Sequence, residues 1–185
     1  MTDSISLVGR TNVGKSLLFN KLVQYKNSIV LNKHGVTRDV NQGKLLFEDK
    51  FLNLYDTAGI TSLDQEFSKL AYEKTLQAIN ESSIILFVTS LDDGVTTADK
   101  EICSTLRKLG KKIILVINKC DKQSSSLKKF EFSEFGLTQS FEVSAKTNKG
   151  LEKLVETIFS MSQSSNYRES KVNRIAFIGK PNVGK

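Results

Sequence analysis

Apolar positions along the chain follow two alternating rhythms. Continuous or nearly continuous runs occur at Ile5-Ser6-Leu7-Val8, Ile84-Ile85-Leu86-Phe87-Val88 and Ile113-Ile114-Leu115-Val116-Ile117. Runs of this length read as strands buried on both faces. Gly43–Phe47 and Phe51–Tyr55 flank the polar Glu48-Asp49-Lys50 and read as a hairpin, and Phe141-Glu142-Val143 is a further short strand. Between these runs the apolar residues recur at helical spacing: Leu18, Phe19, Leu22 and Val23; Phe67, Leu70, Ala71 and Ala78; Ile102, Leu106 and Leu109, closed by Gly110. Leu151, Leu154, Val155, Ile158 and Phe159 make the strongest helical face in the chain. Gln24 to Asp39 is polar and irregular, and Ser124 to Phe135 has an ambiguous pattern that fits a short helix. Six strands alternating with helices predict an α/β fold, a mostly parallel six-stranded sheet with helices on both faces. In such folds ligands bind beyond the carboxyl ends of the strands.

The pattern breaks after the last helix. Residues 1–160 read as one domain and 161–173, rich in Ser, Asn and charge, as a polar linker. Residues 174–185 then repeat the opening of the chain: Ile175 to Lys185 lies over Ile5 to Lys15, with Ile, Gly, Asn, Val, Gly and Lys at matching places. The repeat is expected to be a truncated start of a second such domain, because it stops before the Ser/Thr and helix its loop needs. Composition changes this picture little: 185 residues, 39% hydrophobic and 25% charged, suit a soluble globular protein. No apolar run approaches a membrane span, and Met1-Thr2-Asp3-Ser4 does not look like a signal peptide. Cys103 and Cys120 lack metal-ligand spacing and suit a reducing compartment, so a cytoplasmic location is expected. The net charge of +7, with Lys111-Lys112 and Lys128-Lys129, fits either an anionic partner such as RNA or simply a solvated basic face.

Candidate chemistry gathers at the strand ends. Gly9-Arg10-Thr11-Asn12-Val13-Gly14-Lys15-Ser16 fits G-x-x-x-x-G-K-[ST] between a strand and a helix, which is the context a P-loop requires. Glycine-bounded backbone and a helix N-terminus offer N–H groups to phosphate oxygens. Lys15 is placed to reach the β- and γ-phosphates, and Ser16 to put its hydroxyl on Mg²⁺.

Asn118-Lys119-Cys120-Asp121, directly after a buried strand, resembles the base-recognition motif N-K-x-D of the GTPase superfamily. A carboxylate at Asp121 can accept from both N1–H and N2–H₂ of guanine, which adenine does not offer there. Leaving such a buried group unpaired gives discrimination of roughly 10⁴ or more. Asn118 is expected to brace the loop and the stem of Lys119 to cover the base. Ser144-Ala145-Lys146 resembles the further base-contacting loop, with a backbone N–H directed at the guanine O6. Asp56-Thr57-Ala58-Gly59 resembles D-x-x-G: Asp56 would hold Mg²⁺ through water and the Gly59 N–H would sense the γ-phosphate. Thr37 resembles the switch threonine that binds Mg²⁺ only with the triphosphate. Ile60 stands where Ras-type proteins carry a water-orienting glutamine and cannot hydrogen-bond water. This resembles the subclass in which a P-loop asparagine, here Asn12, helps bind K⁺ beside the phosphates.

The set G-R-x-N-V-G-K-S, G-V-T-R-D, D-T-A-G-I, N-K-x-D and S-A-K, followed by a second G-K-P-N-V-G-K, resembles the Der (EngA) family of tandem-G-domain GTPases. The resemblance implies a Ras-like P-loop G domain that binds GTP or GDP with Mg²⁺. It implies slow, K⁺-stimulated hydrolysis using Lys15, Thr37, Gly59 and Asn12. It also implies a role in assembly of the large ribosomal subunit, with rRNA or ribosomal protein as partner, for a monomer that does not engage a membrane. The alternative is a nucleotide-dependent binding module for RNA or ribosomal protein in which hydrolysis is vestigial. Thr11 and His34 stand where the family pattern has proline, which loosens two rigid backbone positions. Ala58 resembles the second-domain form of its motif. His34 reads as a solvent-facing loop residue.

Overall fold

The computed structural model describes residues 3–25, 40–57, 69–121, 130–162 and 165–166. Strands β1 (Ser4–Val8), β2 (Val40–Phe47), β3 (Lys50–Thr57), β4 (Ile84–Ser90), β5 (Lys112–Asn118) and β6 (Ser140–Glu142) form the expected sheet in the order β2-β3-β1-β4-β5-β6. Among these six strands the β2–β3 hairpin is antiparallel, and β1–β3, β1–β4, β4–β5 and β5–β6 are parallel. Helices α1 (Lys15–Val23), α2 (Lys69–Glu81), α3 (Thr97–Arg107) and α4 (Leu151–Met161) alternate with them.

The sheet separates two cores. On one face Leu18, Leu22, Leu154 and Ile158 of α1 and α4 pack on Ile5, Leu7, Leu86, Val88, Ile114 and Val116. On the other, Ile79 of α2 and Ile102 and Leu106 of α3 pack on Ile85, Phe87, Leu115 and Ile117. The serine in the apolar β1 has a physical explanation. Ser6 Oγ donates to the Ala78 carbonyl at the end of α2, so its hydroxyl is satisfied inside the protein. The same helix end is closed by Lys111, whose ammonium donates to the carbonyls of Ile79, Asn80 and Ser82.

Several boundaries differ from the sequence reading. β2 begins three residues before Gly43, because Val40, Asn41 and Gln42 continue the ladder against Thr57, Asp56 and Tyr55. An edge strand needs no apolar residues on its solvent side, so periodicity missed them. β6 ends before Val143, which still donates its N–H to Ile117 O at 2.8 Å. α3 stops two residues before Leu109, and Gly110 at φ 64° turns the chain into β5. Within 124–135 the described part holds a 3₁₀ turn, Phe132–Phe135, whose Phe135 ring meets Phe87 edge-on at 5.3 Å. Beyond α4, Ser165–Asn166 in the segment read as linker pairs antiparallel with Phe51 and Lys50 as a two-residue β7. The repeat at 174–185 lies outside the described residues, as do Phe67 and His34. Among the described residues no helix is long and apolar enough to cross a membrane.

Candidate functional site

β1, β3, β4 and β5 all end at the same edge of the sheet, and the candidate residues follow those ends. Parallel pairing sets Leu7 beside Asp56 and Ser90 beside Asn118. The loop after β1 is shaped by its two glycines. A Cβ on Gly9 would lie 2.2 Å from the Val88 carbonyl oxygen, so only glycine lets the chain pass β4 there. Gly14 caps α1 in the left-handed region at φ 92°, and a Cβ on it would meet Asn118 Nδ2 at 2.5 Å. Asn12 is left-handed as well, at φ 62°, and exposed with Thr11 at the loop tip. Asparagine tolerates this region better than most residues.

Lys15 is buried and donates to the carbonyls of Gly9 (3.0 Å) and Arg10 (2.5 Å). Burial pulls its pKa down to about 8, against the opposing attraction of Asp56. Asp56 is also buried, and burial pushes its carboxyl above the ordinary range. Hydrogen bonds from the side chains of Ser16 and Asn41 and the charge of Lys15 act in the other direction. Asp56 Oδ1 nevertheless has no hydrogen-bond partner among the described residues. An orphaned buried carboxylate oxygen beside a hydroxyl at a helix start suits a hard divalent cation, so Ser16 and Asp56 fit a Mg²⁺ site. Thr57 follows Asp56 but turns inward: its hydroxyl donates to Leu7 O at 2.6 Å and ties β3 to β1.

Asn118 joins the two halves of the site. Its Nδ2 donates to Val13 O in the first loop at 2.9 Å, and its Oδ1 accepts from the Ala145 N–H at 3.0 Å. The bracing role expected for Asn118 thus extends across three loops. Lys119 adopts φ 65°, while Cys120 points inward, its N–H donating to Val143 O and its thiol to Ile117 O. Ser144 is fully buried; its Oγ donates to Asp121 Oδ1 at 2.9 Å and accepts from the Thr147 N–H at 3.2 Å. N-K-x-D and S-A-K therefore form one unit, with Lys119 and Asp121 at its rim and Lys146 exposed beyond Ala145. Thr37, Ala58, Gly59 and Ile60 lie outside the described residues.

The structure adds contacts and residues that the motifs did not indicate, the first of them at Arg10 of the P-loop. Arg10 Nε donates to Asp99 Oδ1 at 2.9 Å and its Nη2 to Asp93 Oδ2 at 3.2 Å. Asp99 belongs to the capping box of α3, where its other oxygen accepts from Thr96 N and Oγ1. The T-x-x-D at 96–99 was the available sequence signal, though it announces only a helix start. Ser90 has a buried hydroxyl with no partner among the described residues, and no motif marks it.

Comparison with known proteins agrees with this geometry. The profile of the family described as "50S ribosome-binding GTPase" matches residues 4–119. The chain is similar over its whole length to a GTPase Der of Buchnera aphidicola, with 40% identity, and spans 44% of that relative. It thus covers less than half the length of this curated relative. Among solved structures, Era from Aquifex aeolicus bound to GDP and AlF4⁻ superposes with a TM-score of 0.73 at 30% identity, over 90% of this chain and 59% of that one. Era in complex with MgGDPNP and a segment of 16S ribosomal RNA gives 0.73 at 28% identity, over 92% and 60%. The fold is the Ras-like P-loop G domain that the resemblance of the motifs implied.

Proposed function

Because the chain belongs to the 50S ribosome-binding GTPase family, we propose that it is a guanine-nucleotide switch that hydrolyses GTP slowly. The observation that carries this reading is the pair of hydrogen bonds made by Asn118. One side chain fixes the phosphate loop and the base loops relative to each other, as a ligand with a base at one end and phosphates at the other demands. Asp121, held by Ser144, selects guanine through its N1–H and N2–H₂. The amides of Gly9 to Ser16 line the phosphates, and Lys15 exchanges the carbonyls of Gly9 and Arg10 for phosphate oxygens. Mg²⁺ held by Ser16 and Asp56 would offset phosphate charge, and Thr37 would complete that shell in the triphosphate state. Asn12 at the loop tip is assigned to K⁺, whose charge would replace that of an arginine finger. The Gly59 N–H reads the γ-phosphate. Ile60 leaves the attacking water without a side-chain partner, which makes hydrolysis slow.

By similarity to GTPase Der, the switch acts in the cytoplasm as a monomer in assembly of the large ribosomal subunit, with rRNA or a ribosomal protein as partner. The net charge of +7 supports an anionic partner. The segment at 174–185 is read as the start of a second G domain. The test is titration of the purified chain with fluorescent GDP and GTP against competing ATP, in K⁺ and in Na⁺, with phosphate release followed in parallel. Selective guanine binding with faster release in K⁺ is expected. Selective binding without release would replace the enzyme by a nucleotide-dependent binding module. ATP competing equally with GTP would refute the role of Asp121.

A further inference from the structure

Among the described residues, Asn118 and α3 both hold the P-loop, and α3 lies outside the familiar nucleotide motifs. Its second half hangs from Asn118 through Val13 O. Its first half hangs from α3 through the Arg10 guanidinium, which spans two carboxylates: Asp99 at 2.9 Å and Asp93 at 3.2 Å. The Arg10 side chain is 19% exposed and that of Asp99 0%, so the Asp99 contact is withdrawn from solvent. Asp99 divides its oxygens between two tasks. Oδ2 closes the capping box with Thr96, and Oδ1 holds Arg10. Between the two fastenings Thr11 and Asn12 are exposed. Arg10 also supplies, through its backbone carbonyl, one of the two acceptors that hold the Lys15 ammonium. The side chain that α3 grips and the carbonyl that places Lys15 are thus parts of one residue.

We propose that Asp99 is a positioning residue for the phosphate site: through Arg10 it sets where the first half of the P-loop, and with it Lys15, stands. The guanidinium directs its Nε and Nη2 to α3 and the turn before it. The inference deepens the guanine-nucleotide reading and rests on it for the identity of the ligand. It also gives the capping box of α3 a second duty, because a shift of the helix start moves the loop that meets the phosphates.

The test uses the full chain with Arg10→Gln, Asp99→Asn and the double variant. Asparagine at 99 retains one acceptor for Thr96, so α3 keeps its cap while the charge for Arg10 is lost. Each single variant is expected to bind fluorescent GDP about tenfold more weakly, the equivalent of about 1.4 kcal/mol. The double variant is expected to bind no more weakly than the worse single one, because both act on the same contact. Amide hydrogen exchange at residues 9–15 of the nucleotide-free chain is expected to accelerate in all three variants, with the sheet core unchanged. Wild-type affinity in both single variants, or losses that multiply in the double variant, would overturn the proposal. Were the parent chain to bind no guanine nucleotide, the functional reading would fall. The exchange rates would then decide the latch alone: acceleration upholds it and parental rates overturn it.

Discussion

Replacing Asn118 with alanine removes one side chain and leaves two buried groups without partners. The Val13 carbonyl loses its donor and the Ala145 N–H loses its acceptor, both in buried surroundings. A buried polar group left unsatisfied costs about 1–3 kcal/mol, so the pair comes to about 2–6 kcal/mol. For a domain of this size each kcal/mol moves the melting temperature by about 2–4 °C, which predicts a midpoint lowered by about 4–24 °C. The assay is thermal unfolding of the nucleotide-free parent and variant, followed by circular dichroism. Asn118→Asp is the companion variant. It preserves an acceptor for Ala145, but it sets a desolvated carboxylate against the Val13 carbonyl and cannot donate. It is therefore expected to melt no higher than Asn118→Ala. Fluorescent GDP affinity should fall in both, since the phosphate and base loops lose their common anchor. A melting point for Asn118→Ala within about 1 °C of the parent would refute the reasoning, because no relaxation that small rehydrates two buried amide groups.

Three further outcomes follow from the same geometry. Gly9→Ala drives a methyl group to within 2.2 Å of the Val88 carbonyl oxygen, on backbone fixed by strand pairing. It should destabilise by at least about 3 kcal/mol in urea denaturation, and a cost under about 1 kcal/mol would mean that the loop yields. Burial holds Lys15 at about 8 against its ordinary 10.5. Between those values the unfolded chain keeps a proton that the folded chain has released, so stability rises with pH through that window. Lys15→Met should flatten the rise, read from urea midpoints across the window, and parallel slopes would contradict the assignment. Ser90→Ala deletes a buried hydroxyl that has no partner among the described residues. It should be neutral or stabilising by up to about 1 kcal/mol, and a clear loss of stability would reveal a hidden partner.

The residues that sequence made legible are those whose neighbours in space are also their neighbours in the chain. Val8 to Ser16 announces itself because strand, glycine turn and helix succeed one another, and each part constrains the next. The apolar runs at 84–88 and 113–117 did the same for β4 and β5. β2 was legible only in part, since an edge strand exposes polar residues such as Asn41 and Gln42 without penalty. The contact between Arg10 and Asp99 was hidden for a different reason: the two meet across 89 residues of chain. Nothing local to Arg10 tells its guanidinium to turn toward α3 and away from an anionic ligand. Asp99 carries a local signal, but it spells a helix start and gives no hint of the second oxygen's task. Asn118 stands between these cases. Its tetrapeptide marks it as part of a base loop, while its hold on Val13 depends on β1 and β5 both running beside β4. A motif therefore identifies which atoms face the ligand, and the sheet order decides which distant side chains hold those atoms still. The second set is where variants should alter affinity without touching nucleotide, and the Arg10–Asp99 contact is its clearest member in this chain.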